Sequence, residues 1–166
     1  MAVEALISVG DYLSTSYDPD MEYVDGVLVE RNVGDWLHSL IQSNCILALR
    51  TKYPRIYVVP ELRSQTRETR YRLPDISVPL QAPLTRYLVD AAFVAIEILS
   101  ADDEMSAMLE KLEEYDQKGV PNIWLIDPRR QRISAYARGI LSEVHDGVLA
   151  TSNPRLELTR DEIFRQ

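Results

Sequence analysis

A chain of 166 residues, 46% hydrophobic and 27% charged, has the apolar content of an ordinary folded unit and is neither fibrous nor disordered in composition. Its single cysteine, Cys45, excludes an internal disulfide or a cysteine-built zinc site and suits a reducing cytoplasm. A net charge of −8 excludes a uniformly basic nucleic-acid surface, leaving room only for a local cationic patch.

No leader, apolar run of about 20 residues, repeat or Gly/Ser linker is seen, so residues 1–166 are expected to form one domain that stays in the cytoplasm, off the membrane. Ser8 with Asp11 reads as a cap opening a short helix through Tyr12 and Leu13. Met21 to Arg31 alternates around Asp25-Gly26, the strongest hairpin signal in the chain. From Asp35 to about Lys52 the apolar spacing is helical, and Pro54 ends it. Arg55 to Leu62 reads as a strand despite Pro60, followed by a basic polar stretch from Arg63 to Arg72. Asp75 to Val78 is a short strand.

Ala92 to Leu99 (AFVAIEIL) has the near-continuous apolar character of a central strand covered on both faces. Met105, Met108, Leu109, Leu112 and Tyr115 form one stripe on a helix from Asp103 to Lys118, which Gly119 terminates. Asn122 to Asp127 is a second buried strand. Arg132 to Ala137 and Glu143 to Ala150 are expected to pair as an edge hairpin, and Thr159 with Glu162 caps a last helix. The order predicts an α/β sandwich around a mixed central sheet flanked by helices, with a parallel crossover from Ala92 to Asp127.

Glu97 is the anomaly in AFVAIEIL. A buried carboxylate is paired, neutralised or metal-bound, because burying it alone costs several kcal/mol. Period-2 alternation sets it on the face of Ala95 and Leu99, away from Val94, Ile96 and Ile98. Asp75, at the start of another strand, is a second acid. Two such carboxylates make a hard-oxygen site for Mg²⁺ or Mn²⁺, and an arginine partner is the plain alternative. Lys111 flanks the helix stripe, where its ammonium either reaches toward Glu97 or covers apolar surface with its stem. Arg63, Arg67, Arg70 and Arg72 crowd the segment before Asp75, and Arg67, Arg70 and Arg72 are candidates for phosphate contact. Trp36 and Trp124 read as core, and Asp127 as a turn residue.

These segments together resemble the Uma family, a bacterial group within the PD-(D/E)XK nuclease superfamily. The likeness is carried by RLPDISV around Asp75, AIEILS around Glu97 and KLEEYDQKGVPNIWLIDP from Lys111, with EYVDGVLVER, His38 and Glu61 in step. The resemblance implies a restriction endonuclease-like sheet flanked by helices, Mg²⁺- or Mn²⁺-dependent phosphodiester cleavage, and Asp75 and Glu97 as metal ligands. The superfamily's lysine two residues after the glutamate is replaced here by Leu99, and Lys111 is the candidate to stand in for it. Ser100 matches the family's Glu-x-x-Ser segment and would orient Glu97 or cap the helix, while Ala101 stands where a proline is usual. His38 matches a family position and would carry a proton or support the acids. Glu61 and Glu22 are weaker candidates. The expected activity is a DNA endonuclease working as a homodimer. A catalytically silent module acting through protein contacts, and a hydrolase of another phosphate compound, are the alternatives.

Overall fold

A computed structural model describes residues 6–32 and 34–166. It contains helices α1 (Val9–Ser14), α2 (Trp36–Lys52), α3 (Met105–Lys118) and α4 (Arg160–Ile163). The strands are β1 (Glu22–Val24), β2 (Val27–Val29), β3 (Val59–Pro60), β4 (Ser64–Arg67), β5 (Arg70–Arg72), β6 (Ile76–Val78) and β7 (Val94–Ile98). They continue with β8 (Asn122–Asp127), β9 (Arg132–Ala137), β10 (Ile140–Glu143), β11 (Val148–Ala150) and β12 (Glu157–Thr159).

The central sheet has six strands in the order β10-β9-β8-β7-β6-β3. Its β7–β8 pair is parallel and its other pairs are antiparallel, so the sheet is mixed as expected. Alternation along β7 splits the core in two. Val94, Ile96 and Ile98 face α2, where Ile41, Cys45 and Leu49 complete one apolar cluster with Trp124. Ala95 faces α3, packing with Met108, Leu112, Tyr115, Ile123 and Leu125. Glu97 shares that second face.

A separate four-stranded sheet, order β2-β1-β5-β4, closes over α3. Its first hairpin turns at Asp25 and Gly26 with φ of 51° and 95°, the left-handed pair that a two-residue turn matching strand twist requires. The caps read from sequence are present at Ser8 and at Thr159 with Glu162, and Gly119 ends α3 at φ 95°.

Three expectations are corrected and one is made definite. The strand expected from Arg55 to Leu62 is only Val59–Pro60, an edge pair with β6, because Pro60 has no N–H to extend the ladder. The basic stretch from Arg63 to Arg72 is the β4–β5 hairpin. The partner of β9 is β10, while β11 pairs with β12 in a two-stranded ribbon of its own. Trp36 is 80% exposed at the first turn of α2, where a side chain has no preceding turn to pack on. Among the described residues no helix is long and apolar enough to cross a membrane.

Candidate active site

The β6–β7 register brings the two acids together. Ile76 pairs with Ile96, so Asp75, one residue before, stands opposite Glu97, one residue after. The backbone N–H of Ile98 donates to Asp75 Oδ2 at 2.7 Å, tying the acid to the end of β7. Both carboxyls are buried, and both line a cavity of about 330 Å³ that also takes in Glu22, His38, Ser100 and Lys111.

Lys111 reaches this cavity from α3. Its Nζ is 3.0 Å from Glu22 Oε1 and 3.7 Å from Glu97 Oε2. One helical turn on, the buried Tyr115 hydroxyl donates to Glu97 Oε1 at 2.6 Å. The lysine and the tyrosine are four residues apart and share a face, so α3 grips Glu97 at both oxygens. Glu22, on β1, receives the Leu73 N–H at 3.1 Å and Arg72 Nη1 at 2.9 Å besides its contact with Lys111.

Asp75 has a different set of partners. Arg31 Nη2 donates to its Oδ1 at 2.8 Å, and His38 Nε2 lies 3.3 Å from the same oxygen. An ionised carboxylate has about four lone-pair directions, so these two contacts and the Ile98 N–H leave one at Oδ2.

The two acids are consequently pushed apart in acidity. Burial alone would raise Asp75, but the His38 hydrogen bond and the charges of His38 and Arg31 outweigh it and hold it below its ordinary value. Burial pushes Glu97 up, and the charges of Asp75 and Glu22 add to that against Lys111, leaving it at about 8. Burial would lower Lys111, yet Glu97 and Glu22 raise it overall, so it stays an ammonium. His38 is raised as well: burial opposes its charge, and Asp75 more than restores it.

The donor set fits a hard divalent cation. Two carboxylates of unequal acidity face one polar cavity, and the buried Ser100 Oγ lining it has no hydrogen-bond partner among the described residues. A cation there would offset the burial, and the smaller like-charge repulsion, that raise Glu97. Among the described residues no three His, Cys, Asp or Glu side chains form a metal-binding group.

The structure brings Asp75, Glu97, Lys111 and His38 to one cavity. The Glu61 side chain is peripheral: it is half-exposed and 3.7 Å from Arg31, while its backbone N–H donates to the Asp75 carbonyl. Ser100 neither bonds Glu97 nor caps α3. Its own N–H donates to Asp103 Oδ2, and Glu104 occupies the cap position without a side-chain bond.

The β4–β5 arginines expected to meet phosphate are found with partners inside the fold. Arg72 is buried and donates to Glu114 through Nε and Nη2 and to Glu22 through Nη1. Arg70 is held by Asp25, Glu110 and Glu114, and Arg67 donates to Gln117. Arg63 is spent on Asp20 and on the carbonyls of Tyr12 and Thr15. Arg63, Arg70 and Arg72 lock the hairpin onto α1 and α3, while Arg67 is exposed with the single bond to Gln117. Arg31 and Tyr115 escaped the sequence reading. Tyr115 carried a signal, since a buried phenol needs a polar partner; Arg31 carried none, being one charge at a hairpin end.

Residues 10–161 match the family Uma2, described as “Putative restriction endonuclease”. The fold is similar to that of a crystal structure of a “putative nuclease belonging to DUF820” from Anabaena variabilis, with a TM-score of 0.79 at 23% identity, covering 95% of this chain and 97% of that one. No curated protein matches the sequence.

Proposed function

The chain belongs to the Uma2 family, and from that premise we propose that it is a divalent-metal-dependent nuclease that hydrolyses DNA phosphodiester bonds at the Asp75–Glu97 cavity. The observation that carries this reading is the pairing of those two acids across β6 and β7, with the Lys111 ammonium 3.7 Å from Glu97.

Asp75, through its remaining lone pair, and Glu97, once deprotonated, would hold Mg²⁺ or Mn²⁺. Such an ion supplies a water of lowered pKa and neutralises charge on the phosphate. Lys111 stays protonated, so its role is to stabilise developing negative charge, not to act as a base. Arg31 and His38 present two more cations at the cavity, and a phosphate that drew Arg31 onto itself would free Asp75 Oδ1. His38, whose Nε2 lies 3.3 Å from Asp75 Oδ1, would orient that acid and carry a proton beside it. Tyr115 and Glu22 position Glu97 and Lys111.

Purified protein is expected to cleave DNA in Mg²⁺ or Mn²⁺, and Asp75→Asn or Glu97→Gln is expected to reduce cleavage to background. A broad screen of metals and DNA forms that finds no cleavage by the parent protein would defeat the reading. A dimer in light scattering is expected, because cutting both strands commonly uses two sites related by a two-fold axis.

A second reading has one observation in its favour. Asp75 Oδ1 is already occupied by Arg31 and His38, as it would be in a silent module that keeps the fold. Calorimetry with Mn²⁺ separates the two, since the module would bind no ion at Asp75 and Glu97.

A further inference from the structure

The Glu97 cavity does not end at the acids. It shares Arg31, Asn32 and His38 with an adjoining cavity of about 160 Å³. That one shares Asp20 and Glu61 with a third of about 280 Å³, walled by Tyr17, Arg63, Arg86 and Tyr87. The three adjoin one another in a row from Lys111 to Arg86.

The far cavity has a chemistry of its own. The Arg63 guanidinium lies 4.3 Å from the Tyr12 ring centroid and 5.5 Å from those of Tyr17 and Tyr87, which fixes the rings around it. Tyr87 is anchored further by its hydroxyl, which donates to the Leu13 carbonyl. Arg63 neutralises Asp20, and Arg31 faces Glu61 at 3.7 Å, so both acids lining the two outer cavities have cations beside them. Arg86 differs from the arginines of the β4–β5 hairpin. It is exposed, lies 5.8 Å from the Tyr87 ring centroid and makes no ion pair among the described residues. Half-buried tyrosine rings beside an unspent guanidinium suit a ligand with a planar aromatic face and a phosphate, which is a nucleotide. A base stacked inside a continuous duplex has no free face to offer, whereas an unpaired base does.

We propose that the Tyr17–Arg86–Tyr87 cavity binds a nucleotide of an unpaired strand, which continues past Glu61 and Arg31 to the Glu97 cavity. The preferred substrate is then DNA carrying a single-stranded segment, such as an overhang or flap. This substrate class rests on the nuclease reading, but the binding site itself does not.

The test is fluorescence anisotropy without divalent metal, comparing a labelled oligothymidylate with a blunt duplex of equal length. Tighter binding of the single strand is expected, with Arg86→Glu weakening it roughly tenfold, the scale of one lost stacking and charge contact. Arg86→Lys should retain most of the affinity, and circular dichroism checks that both variants fold. Single-strand binding that is absent, no tighter than duplex binding, or indifferent to Arg86→Glu overturns the proposal. Cleavage in Mn²⁺ is a separate arm. Duplex cleavage without single-strand binding would leave the nuclease reading standing and remove this one. Arg86-dependent binding with no cleavage of any substrate would do the reverse.

Discussion

The Glu97 carboxyl is 2% exposed and is held by the Tyr115 hydroxyl on one oxygen and the Lys111 ammonium near the other. Because its pKa stands at about 8, the metal-free protein carries a proton there at neutral pH that a metal ligand must give up. Binding of Mn²⁺ near pH 7 should therefore release close to one proton, and apparent affinity should rise as pH approaches 8. Titration calorimetry in buffers of different ionisation enthalpy reads that proton directly. Enthalpies independent of the buffer would mean that Glu97 is not a ligand. His38 obeys the same local logic from the other side, since it gains its charge from Asp75.

Two elements set up the site, and each has a weak point. Helix α3 is pinned to the β4–β5 hairpin by Glu114, whose oxygens take Arg70, Arg72 and the Thr66 hydroxyl. Those partners overcome burial and lower Glu114 to about 2, so its contribution to stability is full above its ordinary 4.5 and is lost as pH falls toward 2. Glu114→Ala leaves Arg72 buried and short of a partner, and should cost about 3–5 kcal/mol in urea unfolding at neutral pH. A loss under about 1 kcal/mol would show that the hairpin does not depend on this pairing. At the start of α2 the constraint is space. A Cβ on Gly34 would meet His38 Nδ1 at 2.6 Å and Cγ at 3.0 Å, so the ring itself must move. Gly34→Ala should displace the imidazole from Asp75 and bring the His38 pKa back toward 6.5, which an NMR titration would follow.

Over the whole molecule these shifts combine into a pH profile of stability. Glu97 is raised from 4.5, so its contribution is complete below 4.5 and declines as pH rises to about 8. His38 is raised from 6.5, so its contribution declines above 6.5. In both cases the folded state binds more protons than the unfolded state, and stability falls with rising pH. The groups lowered by their partners, Asp75, Asp25, Glu114 and Glu162, act in the opposite sense only in the acid range. The metal-free protein should accordingly melt at its highest temperature in acidic buffer near 4.5 and lose stability as pH rises from there to about 8, with His38 adding to the loss above 6.5. Added Mn²⁺ should reverse that loss. A melting temperature flat across this interval, with or without the ion, would contradict the assignment of Glu97 as buried and protonated.

What the sequence determined was local. The Asp25-Gly26 turn, the caps at Ser8 and Thr159, the Gly119 stop and the apolar stripe of α3 each follow from interactions spanning a few residues. Glu97 was legible too, because a carboxylate in an apolar strand violates the pattern around it, and with Asp75, Lys111 and His38 it could be matched to a family. Only the tertiary structure decided the partners. Arg31 and Asp75 are 44 positions apart, and Arg72 and Glu114 are 42 apart. A lone arginine reads the same in sequence whether it ends on a buried carboxylate or faces solvent. That difference separated Arg70 and Arg72, which hold α3, from Arg86, which makes no ion pair among the described residues. Chain folding also chose β10 over β11 as the partner of β9 and left Trp36 outside, since pairing and exposure depend on what arrives from elsewhere in the chain.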